Sequence, residues 1–116
     1  MKKSIIKAIL SAALFVLPVS GAVNAYQVDA AQYSDGTKVC YETDTVEVID
    51  DSTLKCYVII YNTLNQSVQS QGFMTFYINQ YANIITCDYS AYDGWSGRDI
   101  NYIPMAKAVL EHIVSD

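Results

Sequence analysis

The chain has 116 residues, seven Lys and Arg against twelve Asp and Glu, one His, three Cys and ten Tyr, for a net charge of −5. That length allows one small domain. The acidity disfavours nucleic acid and anionic membrane surfaces, because binding to polyphosphate relies on Lys and Arg neutralising phosphates.

Lys2, Lys3 and Lys7 make a basic start, and an apolar run follows from Ile5 to Val19, interrupted late by Pro18. Ser20-Gly21-Ala22-Val23-Asn24-Ala25 then puts Val23 and Ala25 at the two positions a signal peptidase reads, which predicts a signal peptide over 1–25 with cleavage after Ala25. The apolar run is shorter than the ~20 residues of a spanning helix. The first Cys is Cys40, so no cysteine stands at the cleavage point to carry a lipid. The expectation is a secreted or periplasmic protein with no membrane anchor in its mature chain. Residues 26–116 hold four bases (Lys38, Lys55, Arg98, Lys107) against all twelve acids, a net charge of −8.

Residues 26–36 are polar without a sustained period and are expected to form an arm ahead of a single domain over 37–116. Lys38 to Tyr41 is a short strand candidate, broken by Thr43-Asp44-Thr45 and resumed over Val46 to Ile49. Asp50-Asp51-Ser52 is a turn cluster whose side chains bond their own backbone. Leu54 to Tyr61 is a strong strand, with Cys56, Val58 and Ile60 on one face and Tyr57, Ile59 and Tyr61 on the other, which makes it central. Asn62 to Gln71 is a polar connector, a loop or a weakly ordered strand entry.

Gly72 to Ile78 is a strand in which Phe73, Thr75 and Tyr77 alternate with Met74, Phe76 and Ile78. Asn79 to Asn83 turns the chain, and Ile84 to Tyr92 forms the next strand, with Ile85, Cys87, Tyr89 and Ala91 as its core side. Asp93-Gly94 signals a tight hairpin, since glycine accepts the positive φ of a primed turn, and Trp95 to Asn101 is the expected return strand. Pro104 suits the first position of a helix, and Ala106, Val109, Leu110, Ile113 and Val114 follow as a helical stripe. The expected fold is α+β: an antiparallel β-sheet meander with one amphipathic C-terminal helix packed on one face.

Three cysteines in an oxidising compartment allow one disulfide and one spare thiol. Cys40 and Cys56 are the first choice, a bridge whose loop closure would add about 3 kcal/mol. Cys87 is then a buried small hydrophobe or the site of an intermolecular bridge. Zinc wants close cysteine pairs and more than one His, and His112 is the lone imidazole.

The order of these features resembles the surface-adhesin protein E family of small secreted bacterial proteins. The likeness runs from Val39 to Val114, through Tyr41-Glu42-Thr43-Asp44-Thr45-Val46, the strand Leu54 to Tyr61, Phe76 to Tyr92 with Asp93-Gly94, and Ile103-Pro104 before a short helix. The resemblance implies an antiparallel sheet with a C-terminal helix, exposure at the cell envelope, and binding to host matrix or serum proteins. Two departures weigh on the adhesive part: this chain lacks a Cys near its end to tie the helix down, and it lacks a lipid anchor.

Catalysis finds few residues. A Ser or Cys nucleophile needs a base, and only a Cys87 and His112 pair is conceivable, with nothing to orient it or supply an oxyanion hole. Asp44, Glu47, Asp50 and Asp51 cluster on a turn and its flanks, where a solvated face is the ordinary explanation, and the distal Glu of a calcium loop is missing. No glycine-rich phosphate cradle is present. The expectation is no enzyme, no cofactor and no metal.

Asp88 to Trp95 is the stretch to watch. It joins an outward Tyr92, a turn and the single Trp95, and aromatic side chains with a polar handle favour binding surfaces. Tyr92 and Trp95 are therefore the candidate surface for a protein partner, set against the plainer role of Trp95 as a plug at the sheet edge. The alternative is an assembly protein that forms a homodimer through a sheet edge or a free cysteine.

Overall fold

The computed structural model describes residues 27–115; the expected signal peptide over 1–25 and its cleavage site lie outside them. Six strands follow one another in chain order: β1 (Gln27–Gln32), β2 (Thr37–Asp50), β3 (Thr53–Asn62), β4 (Ser67–Asn79), β5 (Ile84–Tyr89) and β6 (Arg98–Asp99). Every neighbouring pair is antiparallel, and the sheet order is the sequence order. Helix α1 (Pro104–Ser115) closes the chain and packs on one face, the α+β meander that the residue pattern predicts.

Period-2 alternation decides which side chains meet the helix. Val39 and Tyr41 from β2, Leu54, Cys56, Val58 and Ile60 from β3, Met74, Phe76 and Ile78 from β4, and Ile85, Cys87 and Tyr89 from β5 form one buried cluster. Ala106, Val109, Leu110 and Ile113 of α1 complete it, at the i, i+3, i+4, i+7 spacing of one helical face. Burial of side chains this size is worth about 1.5–3 kcal/mol each against leaving them in water, so this layer holds the fold.

Turn chemistry sets the registers. Gly36 takes φ +92° in the β1–β2 turn, and its carbonyl accepts from the Thr63 N–H at 2.8 Å and the Thr63 hydroxyl at 2.7 Å, which ties two turns at one end of the sheet. Asp50 Oδ1 accepts from the Ser52 N–H at 2.9 Å between β2 and β3, the self-bonded turn expected there. Between β4 and β5, Asn79 Oδ1 accepts from the Ala82 N–H and Asn83 takes φ 55°.

Several expectations need correction. The polar arm over 26–36 is in its described part an edge strand and turn, β1, whose Val28, Ala30 and Ala31 pack partly against the core. The break at Thr43-Asp44-Thr45 is an irregularity inside one long strand: Thr45 Oγ1 donates to the Glu42 carbonyl at 2.6 Å and accepts the Tyr57 N–H at 2.8 Å, replacing the missing ladder bond. The connector Asn62 to Gln71 is a turn only to Gln66, after which β4 begins at Ser67. Strand β5 stops at Tyr89, so Ala91 is exposed instead of core. Asp93-Gly94 does not make a hairpin turn: Asp93–Trp95 is a 3-10 turn, the positive φ falls on Gly97 at +71°, and the return strand shrinks to Arg98–Asp99.

The expected Cys40–Cys56 disulfide is absent, and all three thiols are free and buried. Face parity is the reason. Cys56 lies with Val58 and Ile60 in the helix-side cluster, whereas Cys40 alternates with Val39 and Tyr41 and points through the sheet to the other side. There it sits opposite Ile59 and donates to Asp29 Oδ1 at 3.1 Å. Two thiols on opposite faces of one sheet cannot bridge without moving a strand.

Candidate functional site

Residues Asp88 to Gly97 leave the end of β5 as a short loop pinned at both ends. Ser90 grips β4: its N–H donates to the Phe73 carbonyl at 2.9 Å and its Oγ accepts the Phe73 N–H at 3.0 Å. At the other end, Asp88 Oδ1 accepts from the Gly97 N–H at 2.9 Å and the Ser96 hydroxyl at 3.2 Å, while the same Gly97 N–H reaches the Cys87 carbonyl at 2.9 Å. Inside, the Tyr92 N–H bonds the Tyr89 carbonyl and the Ser96 N–H bonds the Asp93 carbonyl, each at 3.0 Å.

This frame arranges three rings in series. Tyr89 is buried and its hydroxyl lies 3.0 Å from Ser70 Oγ of β4. Trp95 stacks on Tyr89 with centroids 5.4 Å apart and planes 25° apart, and Tyr92 meets Trp95 edge-on at 5.6 Å and 89°. Such contacts add about 0.5–1.5 kcal/mol each beyond the area they bury. Burial pushes the Tyr89 phenol above its usual range. The outer ring, Tyr92, is 55% exposed, and Trp95 is half-buried.

Gly94 serves this arrangement by its missing side chain. A Cβ there would come within 2.5 Å of Tyr92 Cζ, so the tyrosine ring lies directly over the glycine. The two expected residues, Tyr92 and Trp95, are thus brought together on one ladder. Trp95 also plugs the sheet end, since it packs partly against the core cluster. The inner rung Tyr89, the anchors Asp88 and Ser90, and Ser70 complete the site. Asp88 and Ser90 fall in the stretch Asp88 to Trp95 that the sequence singles out, but Ser70 lies nineteen positions from Tyr89 and has no local signal.

The catalytic candidates are engaged elsewhere. His112 Nδ1 lies 2.8 Å from the Tyr41 hydroxyl, with the two rings edge-to-face at 5.6 Å. Cys87 is fully buried, and desolvation first, with the neighbouring Asp88 charge second, pushes its thiol up to about 11. A nucleophilic cysteine needs the opposite shift. The Cys56 thiol is pushed up to about 12 by burial, and Cys40 to about 11 by burial and then by its bond to Asp29. Asp50 spends its carboxylate on Ser52, and among the described residues no three His, Cys, Asp or Glu side chains are grouped as metal ligands.

The face of the sheet away from the helix is also aromatic. Tyr57 and Phe73 meet edge-on at 5.1 Å, Lys55 Nζ stands 4.5 Å over the Phe73 ring, and Lys38 Nζ stands 5.4 Å over Tyr61. Long side chains thus lie over Tyr61 and Phe73, although Phe73 and Tyr77 stay exposed at 42% and 43% beside 55% for Tyr92. Among the described residues no helix is long and apolar enough to cross a membrane. Compared with known proteins, the chain matches no family model, no curated relative and no solved structure.

Proposed function

We propose that the protein is a secreted or cell-envelope binding module that contacts a protein partner through Tyr92 and Trp95 without catalysis. The observation that carries this reading is the stacked ladder Tyr89–Trp95–Tyr92, whose outer ring is exposed while its base is buried in the core. Aromatic side chains give large contact area for few rotatable bonds, the property that marks interface hot spots. The resemblance to adhesin E-like proteins and the expected signal peptide agree with a role at or beyond the envelope, and the charge of −8 over residues 26–116 favours a partner that is not strongly anionic.

Replacing Tyr92 and Trp95 with Ala tests the reading. The expected result is loss of partner binding with the circular dichroism of the sheet retained; unchanged binding removes this surface. Assembly through a free cysteine gains no support from the fold, because each thiol is fully buried.

A further inference from the structure

Strand β4 has thirteen residues, but β5 pairs only with its second half, from Met74↔Tyr89 to Asn79↔Ile84. On its other side β4 is paired with β3 along nearly its whole length, from Ser67 to Tyr77. The first half of β4 therefore overhangs β5. Phe73 turns its N–H and C=O outward to Ser90, and the two-residue alternation turns those of Gln71 the same way, beyond the last residue that β5 supplies. Ser67, Val68, Gln69 and Gln71 are exposed, Val68 at 46%.

Sheet edges are ordinarily blunted by charge, proline or bulges. The other edge, β1, follows that rule: it carries the Asp29–Lys38 ion pair at 3.6 Å and a register shift between Asp29 and Ala31. The overhang Ser67-Val68-Gln69-Ser70-Gln71 has neither charge nor proline; its register against β3 shifts once, at Gln69 between Val68 and Ser70, which leaves Gln71 on the regular side of the shift. Ser70 in this overhang touches the Tyr89 hydroxyl, so the aromatic ladder stands beside the open edge.

We propose that the free edge of β4 over Ser67–Gln71 takes up an extended peptide segment of the partner as an added strand in line with β5, with a basic side chain against Trp95 and Tyr92. This rests on the partner-binding reading above and gives it a mode. Only an extended main chain can satisfy outward N–H and C=O groups at strand spacing. The basic character follows from complementarity to the net charge of −8 over residues 26–116 and to the exposed Asp93 beside Tyr92, and cation–ring contacts already recur in this fold at Lys55 and Lys38.

The test titrates the full isotope-labelled protein with a capped heptapeptide of alternating Lys and Val, and with two versions N-methylated at every second amide in either register. The expected result is slowed exchange of the Gln71 amide proton, with binding about tenfold weaker for one methylated register only, as loss of strand hydrogen bonds at unchanged charge requires. Equal binding of all three peptides, or an unprotected Gln71, would overturn the edge mode. Repeating the titration on Trp95→Ala separates the two readings. Weaker binding there with Gln71 unprotected keeps the aromatic surface and removes the edge, whereas full binding with Gln71 protected keeps the edge and removes the aromatic surface.

Discussion

The Tyr41 hydroxyl, on a side chain only 2% exposed, lies 2.8 Å from His112 Nδ1, and this bond ties β2 to helix α1 across 71 positions of sequence. The single imidazole of the chain is thereby a fastener between the sheet and its covering layer. Tyr41→Phe removes the hydroxyl and keeps the ring, so the expected loss is about 1 kcal/mol, the net worth of one such bond, measured by urea unfolding. Phe76→Ala in the centre of the same layer is expected to cost about 3–5 kcal/mol, because it leaves a cavity.

Gly94 and Gly97 separate placement from backbone freedom. A methyl at Gly94 meets only the far end of the Tyr92 ring, a movable group, so Gly94→Ala should change stability by less than about 1 kcal/mol yet shift Trp95 fluorescence as Tyr92 is displaced. Gly97 has open space but φ +71°, so Gly97→Ala should cost about 1 kcal/mol while leaving the Tyr92 ring in place. Thermal melts and fluorescence on the two variants check both halves.

Free thiols make a chemical prediction. Alkylation after denaturation without reductant should add three groups per chain, and the native protein should label slowly because its thiols are buried and protonated. A bridged Cys40 and Cys56 would leave one reactive thiol.

The same shifts set the alkaline limit. Cys56 loses its proton near 9 when unfolded and near about 12 when folded, and Cys40 and Cys87 near about 11. Between those values the native state holds protons that the unfolded chain has released. Their contribution is therefore complete below pH 9 and is lost as pH rises toward 11–12. At the acid end the sign reverses: Asp35 and Asp50 are held below the usual carboxylate range by backbone N–H donors in their turns, so their contribution is present above about pH 4 and lost below it. Chemical denaturation across pH checks both windows.

Much of the fold was legible because burial follows simple periods. Met74, Phe76 and Ile78 alternate with polar or half-exposed neighbours, and Ala106, Val109, Leu110 and Ile113 repeat at helical spacing after Pro104. Strand β1 was hidden because an edge strand buries little, and the bulge beyond Asp29 scrambles its alternation. Cysteine spacing misled because loop length ignores face parity, although the alternation of Val39, Cys40 and Tyr41 against Cys56 and Val58 carried that information. In the site, Tyr92 and Trp95 were readable as residues, but their ladder was not. It depends on Gly94 lying under Tyr92, on Asp88 reaching Gly97 across the loop and on Tyr89 reaching Ser70 on another strand.

The most direct test of the central claim is site-specific photo-crosslinking, with a photoreactive phenylalanine at position 92 and, as a control, at the exposed Lys107 on helix α1. The account predicts a discrete protein adduct from position 92 that is absent from position 107 and disappears when Trp95→Ala is added. Adducts of equal yield from both positions, or none from position 92, would contradict it.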